Sequence, residues 1–291
     1  MSTREDLIEA VTREVLAALS PAPGSKPGDM CADCKGSCAA HCSDKVRGMV
    51  GTGAGRISYS GDGAAVPTDL ARFIDHTLLR PDATAADVDR LCDEARRFGF
   101  AAVCVNPVWV RRCTQNLRGT NVRVASVVGF PFGASTPEVK AVETRRAIRD
   151  GAREIDMVIN IGALKSGDLD LVRDDVRKVS DACHEGGALN KVIIEAALLT
   201  DEEKVLASHL AKEARADYVK TSTGYGPGGA TVHDVLLMRE TVGPRLGVKA
   251  AGGIRTVEDV RDMIAAGATR IGASAGVQIL NAQRSGAGRS A

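Results

Sequence analysis

The sequence contains few aromatic residues, almost no net charge and no long apolar run. Phe, Trp and Tyr make up 3% of the 291 residues, and the formal net charge is +1. Nucleic-acid-binding surfaces are usually basic and stack bases on aromatic rings, so this composition argues against one. The apolar runs fall well short of the ~20 residues of a membrane-spanning helix, and the N-terminus MSTREDLIEA is too polar for a secretory signal. We therefore expect a cytoplasmic protein that binds neither nucleic acid nor membranes.

The first 68 residues differ in composition from the remainder. Within residues 1–20, the stretch REDLIEAVTREVLAAL (4–19) repeats apolar side chains at helical spacing along one face, which predicts an amphipathic helix. Residues 21–68 begin with a segment rich in Pro, Gly and Ser, continue with four cysteines and end in a glycine-rich stretch. This composition predicts a flexible linker and a Cys-rich extension, so the helix is expected to move independently of the body.

Four cysteines lie close together in CADCKGSCAAHC, namely Cys31, Cys34, Cys38 and Cys42. Four thiolates at this spacing suit zinc or an iron–sulfur cluster. On an unbroken helix they would form a stripe about 16 Å long at 1.5 Å per residue, which is too long for one zinc ion, so Gly36 would have to interrupt the helix. Three interpretations remain open: a metal or cluster site, free thiols packed as a stripe, and redox or disulfide chemistry.

From residue 69 onward, short strand-like segments alternate with helical ones. Eight strand candidates are FIDHT (73–77), AAVCVN (101–106), VRVASVV (122–128), EIDMVIN (154–160), KVIIEA (191–196), DYVKTS (217–222), GVKAAG (247–252) and RIGAS (270–274). Eight even βα units predict an α/β fold, a (β/α)8 TIM barrel over residues 69–282, in preference to a doubly wound open sheet. Residues 283–291 are predicted to form a disordered tail.

Two lysines are predicted to point into the barrel from adjacent strands. Strand side chains alternate between faces, so if Val219 and Val248 pack against the helices, Lys220 and Lys249 point inwards. By the same alternation Asp156 points inwards from the fourth strand. A second cation and burial both lower a lysine pKa, and a neutral lysine amine attacks carbonyl carbons to form a Schiff base. A carboxylate beside it would move protons.

A structural role for these charges is the alternative interpretation. Barrel interiors often hold ion pairs, and here Lys220 would pair with Asp156 and Lys191 with Glu195. Spacing alone leaves both interpretations open.

Other reactive side chains in the body are interpreted more simply. A small buried thiol is more typical of core packing than of a nucleophile, so Cys104 is interpreted as a core residue near the barrel mouth. Asp75, also near the mouth, would either position substrate hydroxyls or pair with a lysine. Cys92, Cys113 and Cys183 lie on predicted helices and are interpreted as packing residues.

Glycine-bearing loops follow the last predicted strands. Backbone N–H groups in such loops and at helix N-termini bind anions, and TIM barrels frequently bind phosphate after strands seven and eight. Gly252, Gly253, Gly272 and Ser274 are therefore candidate phosphate-binding residues. For any single loop, an ordinary tight turn is the alternative.

Motifs in almost every strand give the body a family resemblance. The segments EIDMVINIGALKSGD, KVIIEAALL, ADYVKTSTGYGPGGAT, VKAAGGIRT and RIGASAG, with FIDHTLLRPDAT and AAVCVNPVWV near the start, resemble deoxyribose-phosphate aldolases, which are class I (Schiff-base) aldolases. The resemblance covers residues 69–282 and is highly specific. It implies reversible cleavage of the sugar phosphate 2-deoxy-D-ribose 5-phosphate to D-glyceraldehyde 3-phosphate and acetaldehyde, with no cofactor required.

The resemblance also implies a role for each matching residue. Lys220, in the VKTSTG segment, would form the Schiff base, and Lys249, before the paired glycines, would lower its pKa and donate protons. Asp156 would shuttle protons, and Gly224 would join the four phosphate-binding residues named above. Ala275 departs from members that carry a second serine there, a difference that bears on phosphate affinity rather than on activity.

The N-terminal extension lies outside this resemblance. Residues 4–19 and the linker after them are similar to the encapsulation peptides of bacterial microcompartment cargo enzymes, whose apolar stripe docks on a shell protein. The alternative is a helix packed on its own barrel or on a second copy of the chain, in a homo-oligomer.

Two other functions stay open for the whole protein: another Schiff-base sugar-phosphate aldolase, and a catalytically silent cargo or scaffold barrel.

Overall fold

Eight parallel strands close into a barrel in which β1 is hydrogen-bonded to both β2 and β8. The computed structural model describes residues 69–287. Its strands are β1 (Ile74–Leu78), β2 (Ala102–Val105), β3 (Arg123–Val128), β4 (Glu154–Val158), β5 (Leu189–Ile193), β6 (Tyr218–Lys220), β7 (Gly247–Ala251) and β8 (Arg270–Ala273). Each overlaps one of the eight predicted segments, so the predicted (β/α)8 barrel is confirmed.

Within the described residues, every connection between consecutive strands carries one helix, except that β4 and β5 are joined by two. The helices are α1 (Ala85–Phe98), α2 (Val110–Asn116), α3 (Pro137–Arg149), α4 (Ile161–Ser166), α5 (Leu169–Glu185), α6 (Asp201–Glu213), α7 (Val232–Val242), α8 (Val257–Ala265) and α9 (Gly276–Ala287). Short 3-10 helices span Leu70–Phe73, Pro107–Trp109 and Ala196–Leu198. A reciprocal capping box begins α1, because the Thr84 hydroxyl accepts from the backbone of Asp87 while the Asp87 carboxylate accepts from the backbone of Thr84.

The two faces of the strands lie in different environments. Outward-facing side chains such as Ile155, Val219 and Val248 are fully buried against the helices. In the interior, the apolar side chains form a small cluster dominated by β2 and β3, which comprises Leu79, Ala102, Cys104, Ala125 and Val127. The remaining strands, β1 and β4 to β8, place charged side chains inside. The interior is therefore divided into an apolar side and a charged side.

The cysteines predicted to pack in helices do so. Cys92, Cys113 and Cys183 lie on α1, α2 and α5, and all three are fully buried. The helix, linker and Cys-rich segment predicted over residues 1–68, including the four clustered cysteines, lie outside the described residues.

The last helix corrects one boundary. The sequence predicts a disordered tail over residues 283–291, but α9 continues to Ala287. Buried Ile279 and Leu280 anchor this helix to the barrel, and once a helix is anchored each further residue adds a hydrogen bond at little cost. Residues 288–291 lie outside the described part of the chain. No helix between residues 69 and 287 is long and apolar enough to cross a membrane.

Candidate active site

Seven buried charged side chains meet inside the barrel, and we refer to them as the interior network. They are three carboxylates and four cations: Asp75, Glu154, Asp156, Lys191, Lys220, Lys249 and Arg270. Strand register brings them together, because Lys220 is the register partner of Lys249, and Lys249 that of Arg270. Parallel strands in register point paired side chains to the same face, so the cations converge on one side of the interior.

Asp156 lies at the centre of the network. Its Oδ2 accepts hydrogen bonds from Lys220 Nζ at 2.8 Å and from Lys249 Nζ at 2.7 Å. Its Oδ1 accepts from Lys191 Nζ at 2.7 Å. The structure thus brings together the three side chains that the sequence singled out, and two of them share one carboxylate oxygen.

Asp75 pairs with a lysine, which was one of the two roles left open for it. Lys249 Nζ donates to Asp75 Oδ2 at 2.5 Å, and Arg270 Nη1 donates to Asp75 Oδ1 at 2.6 Å. Arg270 also donates to Glu154 Oε2 at 2.9 Å. Lys249 is therefore held between two carboxylates, Asp75 and Asp156.

Lys191 does not pair with Glu195, contrary to the structural alternative. The two residues are four positions apart, which is about 13 Å along an extended strand. Lys191 Nζ instead lies 2.7 Å from both Glu154 Oε2 and Asp156 Oδ1. Glu195 binds the loop after β6 through Thr223.

Lys220 and Lys249, which share Oδ2 of Asp156, have pKa values that their surroundings move in opposite directions. Burial lowers the pKa of Lys220, and the positive charge of Lys249 lowers it further, against the opposing effect of Asp156. Burial also disfavours the charged form of Lys249, but Asp156 and Asp75 outweigh burial and raise its pKa. Lys220 is therefore the better candidate for a free amine, and Lys249 for an ammonium ion.

The other members of the network keep their ordinary charges. Burial opposes ionisation of Asp156, but Lys191, Lys220 and Lys249 together hold its pKa well below the usual range. Burial likewise opposes protonation of Lys191, but Asp156 and Glu154 raise its pKa.

The number of charges in the network also favours a neutral Lys220. With every group ionised, the network holds four cations and three carboxylates. An uncompensated charge in a protein interior is costly, and the usual response is a change of protonation state. Loss of one proton from Lys220 leaves three cations and three carboxylates, so the network is balanced when this lysine is neutral.

Loops at the carboxyl ends of the last strands form the mouth beside Lys220. Gly224, Gly252 and Gly253 all have positive φ angles, and the Ala230 amide donates to the Gly252 carbonyl at 3.0 Å, which joins the loops after β6 and β7. Ser274 is exposed after β8.

Gly272 differs from the other candidate phosphate-binding residues because it is buried within β8. A Cβ atom at this position would lie 3.1 Å from Lys249 Cε and 3.0 Å from Ala251 Cβ. The missing side chain therefore leaves room for the stem of Lys249.

The sequence of the barrel matches a known protein family. The sequence model for the DeoC/LacD family aldolases matches residues 70–284, which is most of the chain and nearly the whole described barrel.

The chain belongs to the DeoC/LacD aldolase family.

Curated relatives and solved structures are similar over the same region. The deoxyribose-phosphate aldolase of Geobacillus sp. (strain WCH70) is 60% identical over 212 residues, covering 73% of this chain and 95% of that protein. The enzyme of the same name from Streptococcus pneumoniae serotype 19F (strain G54) is 61% identical over 214 residues, covering 74% and 96%. The deoxyribose phosphate aldolase of Aeropyrum pernix, whose structure is described as a unique tetramer, aligns with a TM-score of 0.71 and 36% identity, covering 76% and 93%.

Cys104 lies next to the interior network without being an evident nucleophile. Its Sγ lies 4.0 Å from Asp156 Oδ2. Burial, reinforced by the negative charge of Asp156, raises the pKa of the thiol to about 11. A protonated thiol is a poor nucleophile, which agrees with the packing role predicted for Cys104.

Sequence reasoning missed two members of the interior network. Glu154 precedes Asp156 by two residues, and Arg270 precedes Gly272 by two, so strand alternation would have placed both side chains inside. Among residues 69–287, no group of three or more His, Cys, Asp or Glu side chains is arranged to hold a metal ion.

Proposed function

We propose that this protein is a class I deoxyribose-phosphate aldolase that reversibly cleaves 2-deoxy-D-ribose 5-phosphate to D-glyceraldehyde 3-phosphate and acetaldehyde, with Lys220 as the Schiff-base lysine. The observation that carries the proposal is the shared oxygen of Asp156, which binds two buried lysines whose pKa values move in opposite directions. One lysine is thereby available as a nucleophile while its neighbour stays charged. The substrate is inferred from the curated relatives, which are named deoxyribose-phosphate aldolases.

The first stage forms the Schiff base. The neutral amine of Lys220 attacks the C1 aldehyde carbon, giving a carbinolamine, and loss of water leaves an iminium ion. Departure of the hydroxyl as water needs a proton. Lys249 is an ammonium ion within hydrogen-bonding distance of Asp156, so these two groups form the route by which a proton reaches the carbinolamine.

The second stage breaks the C2–C3 bond. A base removes the proton of the C3 hydroxyl, the C3–O bond becomes a carbonyl, and the electrons of the C2–C3 bond move into the iminium to give an enamine. Asp156, which is ionised, is the base within reach of Lys220. Glyceraldehyde 3-phosphate departs, C2 of the enamine is protonated, and water hydrolyses the new iminium to acetaldehyde and free Lys220. The iminium nitrogen is the electron sink, which is the role a Lewis-acidic metal plays in other aldol chemistry.

The phosphate group is assigned to the loops after β6, β7 and β8. The candidate residues in these loops are Gly224, Gly252, Gly253 and Ser274. Gly272, the fifth candidate from the sequence, is buried within β8 beside the stem of Lys249. Supporting this assignment, the 12-residue helix α9 begins two residues after Ser274, and the N-terminus of a helix attracts anions through its free N–H groups and its dipole.

The proposal is tested by assaying cleavage of 2-deoxyribose 5-phosphate through the acetaldehyde released. Lys220→Met should reduce turnover to background, because no other group of the network supplies the nucleophile. Lys212→Met, an exposed lysine eight residues earlier, is the matched control and should behave as the unmodified protein. Full turnover by Lys220→Met would overturn the proposal. Lys220-dependent cleavage of a different sugar phosphate, with none of the deoxyribose phosphate, would favour the alternative aldolase.

We also propose that residues 1–20 direct the enzyme to a microcompartment shell protein and play no part in catalysis. The support comes from the sequence alone: an isolated helix of about 16 residues is marginal in water and needs a partner for its apolar stripe. Confinement suits acetaldehyde, which is volatile and reactive. Deleting residues 1–20 should leave turnover unchanged and abolish co-purification with shell proteins, and the same segment should carry a fused fluorescent protein into shells. If the deletion instead unfolds the barrel or dissociates an oligomer, the segment is structural.

A further inference from the structure

Glu195 adopts a backbone conformation that residues with side chains usually avoid. It follows β5, and its φ and ψ angles are 54° and 61°. Between residues 69 and 287, Arg215 is the one other non-glycine residue with a positive φ. Glu195 is also only 3% exposed. The left-handed region is unfavourable for L-residues, so contacts around Glu195 must hold it there.

A local irregularity in strand pairing accompanies this conformation. The Ile194 amide donates to the Lys220 carbonyl at 3.0 Å, and the Ala196 amide donates to the Thr221 carbonyl at 2.8 Å. Between these two hydrogen bonds the chain advances two residues after β5 but only one residue after β6, which is the pattern of a β-bulge. Bulges redirect side chains, and this one lies directly beside the proposed Schiff-base lysine.

The carboxylate of Glu195 binds the loop that follows β6. Its Oε1 and Oε2 lie 3.4 and 3.3 Å from the backbone nitrogen of Thr223, which donates to them. The Thr223 hydroxyl also donates to Oε2, and that hydroxyl accepts from the Tyr225 amide at 3.0 Å. A Cβ atom on Gly226 would lie 2.8 Å from Glu195 Cδ, so the loop backbone rests directly on the carboxylate.

The same loop has a second attachment farther along. The Ala230 amide donates to the Gly252 carbonyl in the loop after β7. Gly224 is exposed and lies between the two attachments, next to the residue that Glu195 binds. Glu195 therefore holds the backbone immediately before Gly224, and Gly252 holds the far end of the same loop.

We propose that Glu195 is a positioning residue that gives the enzyme its preference for phosphorylated substrates, by holding the loop after β6 in the shape that binds phosphate. This inference rests on the proposed function and deepens it. Glu195 acts through Thr223 and Gly224 and does not itself contact the substrate.

The test compares kcat/KM for 2-deoxyribose 5-phosphate with kcat/KM for unphosphorylated 2-deoxyribose. In Glu195→Gln the ratio of the two should fall by about tenfold or more, the effect expected when hydrogen bonds to a charged group are lost, and the change should lie mainly in KM for the phosphorylated sugar. Glu202→Gln, an exposed glutamate in the same connection, is the matched control and should leave the ratio unchanged.

Two further variants keep the test decisive if Glu195→Gln folds poorly. Glu195→Gly removes the carboxylate but suits a positive φ, and Thr223→Val removes the hydroxyl donor from the other side. Both should lower the ratio, and the Glu195→Gln and Thr223→Val effects should be less than additive because they disrupt one contact. An unchanged ratio in folded variants, or an equal loss of kcat with both substrates, would overturn the inference.

Failure of this inference can be told apart from failure of the proposed function. Acetaldehyde carries no phosphate, so its borohydride-reduced adduct at Lys220 reports the Schiff-base chemistry alone. No adduct in the unmodified protein would refute the proposed function and, with it, this inference. A normal adduct together with an unchanged substrate ratio would refute the role of Glu195 only.

Discussion

Replacing Lys249 by methionine tests how the barrel keeps Lys220 reactive. The two amines lie 2.7 and 2.8 Å from the same oxygen of Asp156, so they are at most about 5.5 Å apart. At that separation and an effective dielectric constant of about 20, two unit charges repel by about 3 kcal/mol. At about 1.4 kcal/mol per tenfold change, this repulsion enriches the neutral form of Lys220 about a hundredfold.

Lys249→Met removes that repulsion while preserving the length of the side chain. We expect kcat/KM at pH 7 to fall by about a hundredfold, because the pKa of Lys220 rises and less of it is neutral. The acid limb of the pH–rate profile should move to higher pH, since more alkaline solution is then needed to deprotonate Lys220, and activity should recover in part there. The assay is cleavage of 2-deoxyribose 5-phosphate between pH 6 and about pH 10, with circular dichroism to verify folding.

The shape of the profile separates the two roles of Lys249. If Lys249 served only as a proton donor, the loss would be similar at every pH and the acid limb would stay in place. Lys249→Arg keeps the charge and should leave the limb where it is, even if turnover falls. A Lys249→Met protein with unchanged rate and unchanged profile would refute the reasoning.

Three further outcomes are expected. Cys104 should stay unlabelled when the native protein meets iodoacetamide at pH 8, because burial raises its pKa to about 11; rapid labelling in a peptide map would contradict this. Lys140 Nζ lies 2.5 Å from Asp175 Oδ2, and both side chains are fully buried. Lys140→Met should therefore lower the free energy of unfolding, measured in urea, by about 3–5 kcal/mol, and adding Asp175→Leu should restore part of that loss. A double variant no more stable than Lys140→Met would contradict this expectation. Turnover should survive EDTA, and a loss reversed by zinc would instead implicate a metal, for example at the N-terminal cysteines.

The parts of the fold that follow simple periodicity could be predicted from the sequence. The inward direction of Lys220, Lys249 and Asp156 follows from strand alternation, because their strands are regular at those positions. The same rule also predicts the inward direction of Glu154 and Arg270.

Other features depend on contacts that periodicity does not encode. Asp75 and Arg270 are 195 positions apart and meet only because β1 closes the barrel against β8. The alternative pairing of Lys191 with Glu195 requires the two side chains to share a face of the fifth strand, but the bulge beside β6 interrupts the alternation before Glu195. A one-residue irregularity of this kind has no clear sequence signal, since glutamate is not a residue typical of a positive φ.

The central claim is that Lys220 is the covalent nucleophile, and trapping its adduct tests that claim most directly. The full-length protein is incubated with acetaldehyde, reduced with borohydride and digested, and the modified lysine is mapped by mass spectrometry. The account predicts one reduced two-carbon unit on Lys220, with Lys191 and Lys249 unmodified because their pKa values are raised. An adduct on Lys191 or Lys249 in place of Lys220 would contradict it.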